Sequence, residues 1–95
     1  MEIESIGHKA LRRFVETGKS RGLPGDVTDR LFKMVNFILA ADTLDELATP
    51  PNYGLHPLTG DRAGTWAMMV TRNWRMTFTK VDETTIGNLD LEDYH

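Results

Sequence analysis

The apolar positions change period once along the chain: before residue 50 they recur at three- and four-residue intervals, and after it they alternate. Leu11, Phe14 and Val15 share one face of residues 8–16 while Arg12 and Arg13 lie outside, which predicts a helix. Gly18 is placed to end it, because glycine enters the left-handed conformation at no steric cost. Residues 19–25, Lys-Ser-Arg-Gly-Leu-Pro-Gly, read as a loop. Leu31, Met34, Val35 and Ile38 form the stripe of a second helix, with Asp29, Arg30 and Lys33 opposite and Asp26 as the expected N-cap. Thr43 and Glu46 stand at capping-box spacing, so a helical turn is expected over 44–48, stopped by Pro50-Pro51. Ile3 and Ile6 suggest a short edge strand ahead of the first helix.

In the second half Trp66, Met68 and Val70 alternate with Ala67 and Met69, and Trp74, Met76 and Phe78 alternate with Arg75, Thr77 and Thr79. Each run predicts a strand with one buried face. Arg72-Asn73 falls at the hairpin turn between them, and Asp82-Glu83-Thr84 turns into a last strand over 86–91. Residues 53–58 are expected to add a strand before the Gly60–Gly64 loop. Helices first and an antiparallel sheet second is an α+β order. At 95 residues, 1–95 is expected to form one domain around one core.

Cysteine is absent, which removes disulfides, thiolate metal sites and thiol nucleophiles. The opening Met1-Glu2-Ile3-Glu4-Ser5 is acidic with no apolar run behind it, unlike a secretory signal. No stretch approaches the ~20 apolar residues that span a bilayer, so the expected compartment is the cytoplasm, without a membrane partner. The net charge of −3 has the wrong sign for a protein that holds RNA by its phosphates. It is also uneven. Residues 1–39 carry seven basic side chains (Lys9, Arg12, Arg13, Lys19, Arg21, Arg30, Lys33) against five acids, whereas Arg62, Arg72, Arg75 and Lys80 face nine acids thereafter. Two readings stay open here: solvated helix faces beside an acidic sheet, or an RNA-facing N-terminal patch.

No phosphate-binding P-loop, dinucleotide turn or metal-ligand pair at helical spacing occurs, so no cofactor is expected. The polar groups left for chemistry are His56, Asp61, Arg62, Arg75, Asp93, Tyr94 and His95. Arg75 lies between Trp74 and Met76 and so points to the other face of its strand. There it either holds a phosphate bidentately or pairs with one of the acids. His56 sits beside a glycine-rich loop, where it is either structural or, with Asp93 and His95 across the sheet, part of an acid–base set whose two imidazoles titrate near neutrality. Tyr94 either stacks on a base or fills the core edge.

The runs Leu55-His56-Pro57-Leu58-Thr59-Gly60-Asp61-Arg62-Ala63-Gly64-Thr65-Trp66, Asn73-Trp74-Arg75-Met76-Thr77-Phe78 and Glu92-Asp93-Tyr94-His95 resemble, in order and spacing, the HigB branch (plasmid maintenance system killer) of the RelE/ParE toxin superfamily. His8-Lys9-Ala10-Leu11 and the 18–24 stretch are similar too, so the likeness spans nearly the whole chain. The resemblance implies a microbial-ribonuclease-like α+β fold, two N-terminal helices on a twisted antiparallel sheet. It implies a type II toxin that cleaves messenger RNA in the ribosomal A site without metal, through attack of the 2′-hydroxyl on the adjacent phosphate. Implied partners are the 70S ribosome, a helix-turn-helix (HigA-like) antitoxin, and operator DNA bound through that antitoxin. By position, His56, Arg75, Asp93, Tyr94 and His95 match the family's catalytic set. Thr59, Arg62, Arg72, Asn73 and Trp74 fall where substrate contacts are expected. The family commonly has lysine where this chain has Thr59, and a second arginine of some members has Arg72 as its nearest match, one position closer to the Trp-Arg pair. These departures favour one alternative, a toxin fold with weak or no cleavage that serves as an antitoxin- and operator-binding module. A metal hydrolase built from His56, Asp61, Asp93 and His95 is a further alternative.

Overall fold

The structure, a computed structural model, describes residues 1–93. In chain order its elements are β1 (Glu2–Ile3), α1 (Lys9–Thr17), α2 (Thr28–Ala40), α3 (Leu44–Leu47), β2 (His56–Pro57), a 3-10 turn (Gly60–Arg62), β3 (Thr65–Met69), β4 (Trp74–Asp82) and β5 (Thr85–Asp93). The strands form one sheet in the order β1-β5-β4-β3-β2. Its pairings are antiparallel except that β1 runs parallel to β5, an exception to the expected all-antiparallel sheet. The architecture is α+β, as the change of period predicts.

The two helical stripes and one face of the sheet make a single core. Leu11 and Phe14 of α1 and Leu31, Met34 and Ile38 of α2 join Met68, Val70, Met76, Phe78, Ile86, Leu89 and Leu91 in one buried cluster. Each large side chain removed from water there contributes roughly 1.5–3 kcal/mol. α1 starts one residue later than predicted because His8 is its N-cap, its Nδ1 accepting from the Leu11 amide at 3.1 Å. Gly18 ends it with φ 77°, as expected. The start of α2 differs more. Asp26 does not cap it: residues 24–27 form a turn closed by the Val27 amide on the Pro24 carbonyl, and the helix begins at Thr28. Val27 is fully buried, so packing of that side chain sets the entry to the helix in place of a side-chain cap. At the other end of α2, the Met1 ammonium donates to the carbonyls of Ile38, Leu39 and Ala41, a cation at a helix C-terminus. Thr43 caps the predicted turn, its Oγ1 accepting from the Glu46 amide at 3.4 Å, while Glu46 Oε2 reaches back one residue further than in a capping box and accepts from the Asp42 amide at 2.9 Å.

The strand expected over 53–58 shrinks to His56–Pro57, because Tyr53 (φ 49°) and Gly54 (φ 68°) take left-handed conformations that a strand does not tolerate. The last hairpin carries a feature that alternation alone hides. Thr79 pairs with Gly87 but Thr77 pairs with Asp90, a one-residue slip that marks a β-bulge around Gly87-Asn88, where Asn88 has φ 51°. Ile86 therefore faces the core before the bulge, while Leu89 and Leu91 face it afterwards. Among the described residues no helix is long and apolar enough to cross a membrane.

Candidate active site

Every second residue of the central strands leaves the sheet away from the helices. Ala67 and Met69 of β3 and Arg75 and Thr77 of β4 have this parity, and so does β2 His56, which pairs with Ala67. On β5 the bulge brings Asp90 and Glu92 to the same face, opposite Thr77 and Arg75.

His56 owes its orientation to the loop before it. The Tyr53 ring meets Phe37 of α2 edge-on at 5.4 Å, and the Arg30 guanidinium lies 5.4 Å from the centre of that ring. The Tyr53 carbonyl accepts from the Met69 amide at 2.7 Å, which ties the loop to β3. Gly54, held left-handed, then directs its carbonyl to His56 Nδ1 at 2.8 Å. A carbonyl oxygen only accepts, so Nδ1 carries the proton and a neutral ring presents its proton-accepting lone pair on Nε2. His56 is exposed and shares a recess of about 130 Å³ with Gly54, Ala67, Met69, Thr71, Trp74 and Arg75. A space well under the ~300–1,000 Å³ of a small-molecule pocket suits a phosphate or the edge of a base.

On the far side of Arg75 lies a polar cluster centred on Glu92. Arg62, reaching over from the 3-10 turn, holds the Glu92 carboxylate as a fork, NH1 to Oε1 at 2.7 Å and NH2 to Oε2 at 2.6 Å. Arg75 NH2 donates to Oε1 at 3.2 Å, and the buried Thr77 hydroxyl donates to Oε2 at 2.5 Å. The hydrogen bonds from Arg62 in particular hold the Glu92 carboxyl down at about 2, against the opposing effect of burial, and the same carboxylate pushes the Arg62 guanidinium further up. Arg62 and Arg75, two of the three arginines predicted for the site, thus share one face, and in the structure Arg75 is paired with an acid.

The other predicted residues spread around this face. Thr59 is exposed and immediately precedes the 3-10 turn, making no side-chain capping bond to it. Asp61 is exposed within that turn. Arg72 and Asn73 are exposed in the β3–β4 connection, where the Asn73 amide donates to Thr71 Oγ1 at 3.3 Å. Trp74 is half-buried, packing on the core while bordering the recess. Asp93 pairs with Trp74 and so has the parity opposite to Arg75 and Glu92. Tyr94 and His95 lie outside the described residues. Glu92 and Thr77 were not singled out from the sequence. Thr77 stands two residues from Arg75 and shares its face, and Glu92 follows from counting back to the Leu89–Leu91 alternation. Among the described residues no three His, Asp or Glu side chains cluster closely enough to hold a metal ion.

A second cationic surface lies on α1, where His8, Lys9, Arg12, Arg13 and Arg21 line an open concavity of about 580 Å³ with Glu16 as its one acid. No acid stands in the first turn of α1, so the positive end of the helix dipole adds to these charges.

The model of one family matches residues 4–95: the HigB-like toxin, a RelE-like toxin of type II toxin–antitoxin systems. The chain is similar to Endoribonuclease HigB of Proteus vulgaris, 39% identical over 93 residues that cover 98% of this chain and 99% of the relative. Among solved structures it resembles YafQ from E. coli strain BL21(DE3), with a TM-score of 0.62 at 18% identity over 98% of this chain and 92% of that one. It also resembles a YoeB/ParE toxin from Agrobacterium tumefaciens, with a TM-score of 0.55 at 13% identity over the whole of both chains. At these identities the two structures speak for the fold alone.

Proposed function

This chain belongs to the HigB-like family of RelE-like toxins of type II toxin–antitoxin systems, and from that premise we propose that it is an endoribonuclease that cuts messenger RNA on the ribosome and so arrests translation. The observation that carries the reading is the recess shared by His56 and Arg75, a proton acceptor and a permanent cation on one face of the sheet. A ribose 2′-hydroxyl placed there loses its proton to a base, attacks the adjacent phosphorus, and expels the 5′-oxygen, which leaves with a proton. His56 Nε2 is the base of first choice and His95 the second; Asp93, whose parity on β5 is opposite to that of Arg75, ranks last of the three candidates, and Tyr94 stacks on a base. Arg75 stabilises the charge that builds on the phosphate oxygens. Thr59, Arg62, Arg72, Asn73 and Trp74 are assigned to substrate contact around it. The reaction needs no metal in this reading, and 1–95 acts as one domain in the cytoplasm.

A face on which Glu92 and Asp90 offset Arg62 and Arg75 has little general attraction for RNA. The ribosome therefore supplies orientation, turning slow chemistry into a positioned reaction. The cationic α1 surface supports docking on ribosomal RNA. A type II toxin has an antitoxin partner; we assign that role to a helix-turn-helix protein that also carries the toxin to operator DNA. Threonine at 59 and the pairing of Arg75 with Glu92 favour one alternative, a weakly cleaving antitoxin- and operator-binding module.

The test is single-turnover cleavage of messenger RNA on programmed ribosomes and in free solution. Wild type is expected to cut only on ribosomes, and Arg75→Ala to lose ~10²–10³-fold in rate and to relieve growth arrest. Strong cutting of free RNA, or a folded Arg75→Ala as active as wild type, refutes the reading. No cleavage together with tight antitoxin binding selects the alternative.

A further inference from the structure

We propose that Glu92 is a positioning residue of the cleavage site: its carboxylate, clasped by Arg62, sets the direction of the Arg75 guanidinium and ties the Gly60–Arg62 turn, with Thr59 beside it, to the sheet. The inference rests on the ribonuclease reading of the same face. One carboxylate joins groups from three elements, Arg62 of the turn, Arg75 and Thr77 of β4, and its own strand β5. The Glu92 side chain is 21% exposed and that of Arg62 43%, so the clasp closes over the sheet face from the solvent side.

The distances separate the two arginines. Arg62 engages both carboxylate oxygens at 2.6 and 2.7 Å in the planar fork geometry that fixes a guanidinium best. Arg75 touches one oxygen with one nitrogen at 3.2 Å. An incoming phosphate oxygen therefore draws Arg75 away from Glu92 more readily than it draws Arg62, and Glu92 stays seated on Arg62 and Thr77 while Arg75 turns to the substrate. With Glu92 held by Arg62, Arg75 brings its own charge to the phosphate when it turns, although the face as a whole is close to neutral. Without Glu92 two like charges share the space, and Arg75 loses a hydrogen bond that helps to set its direction.

Single-turnover cleavage on programmed ribosomes, measured across ribosome concentration and pH, tests this. Glu92→Gln is expected to lower the rate at saturating ribosome by about 10- to 100-fold. The half-saturating ribosome concentration should be unchanged or lower, because an anion has been removed. The shape of the pH–rate profile should be kept, because Glu92 passes no proton to substrate. An unchanged rate, a loss confined to affinity, or a lost limb of the pH profile each overturns the proposal. If Glu92→Gln does not fold, Arg62→Gln opens the clasp from its exposed side and should lower the same rate in the same sense. The Arg75 NH2 proton that bonds Glu92, followed by nuclear magnetic resonance in the free protein, gives an arm independent of cleavage. It should exchange slowly in wild type and faster in Glu92→Gln, and equal exchange overturns the clasp. A wild type that cuts nothing on ribosomes, with the exchange difference present, refutes the ribonuclease reading and leaves the clasp standing.

Discussion

Acid should loosen this protein through Glu92 in a way that a single substitution isolates. The folded structure holds that carboxyl at about 2 against an ordinary 4.5. At about 1.4 kcal/mol per pH unit, the difference amounts to about 3 kcal/mol. Solvent reaches the Arg62 end of the pair and screens it, which lowers the expectation to about 2 kcal/mol. Because the folded value is the depressed one, the stabilisation is complete above the unfolded value and fades as pH falls from about 4.5 toward 2. Less than about half of it is left near pH 3. Urea unfolding followed by the fluorescence of Trp66 and Trp74, with wild type and Glu92→Gln compared at pH 7, 5, 4 and 3, reads the effect. At pH 7 the variant should be about 2 kcal/mol weaker. With a slope of about 1 kcal/mol per molar urea for a domain of this size, its midpoint should lie about 2 M lower. The gap should close as the pH falls. Other acids contribute to the acid sensitivity of both proteins alike, so the difference belongs to Glu92. A gap that stays constant from pH 7 to 3 would refute the depressed carboxyl and the clasp drawn from it.

Three further outcomes are expected. Thr59→Lys puts a cation where threonine offers only a neutral hydroxyl, and charge-assisted bonds contribute roughly twice as much as neutral ones; single-turnover cleavage on ribosomes should quicken, with stability changed by no more than about 0.5 kcal/mol. Replacing Arg12 and Arg13 together by Ala should weaken ribosome binding and lower the slope of log affinity against log salt by about 2, measured by filter binding across salt concentrations. Phe78→Ala empties a fully buried site between the sheet and the helices; it should cost about 3–5 kcal/mol in urea unfolding, with the slope unchanged.

Local spacing was enough for the elements whose side-chain stripes are local. Leu11 and Phe14, the Leu31–Ile38 stripe, and the Trp66–Val70 and Trp74–Phe78 alternations each predict one buried face, and each face is found in the core. Gly18 and the Thr43 cap, which depend on three or four neighbouring residues, were legible for the same reason. Residue order and spacing also carried the family, since the three motif runs are contiguous stretches of chain. Contacts between distant residues decided the remainder. Burial of Val27 overrode Asp26 as a cap, and two left-handed residues at 53 and 54 shortened a predicted strand while aiming a carbonyl at His56. The site face itself depended on one slip of register. Counted from Ile86 without a bulge, Glu92 would fall on the core side, away from Arg75 and Arg62. The extra residue near Asn88 inverts that parity, because a strand has a period of two and one inserted residue exchanges its faces. That insertion puts Glu92 on the face of two arginines 13 residues apart in sequence, and only the pairing of β4 with β5 and the position of the 3-10 turn bring the three together.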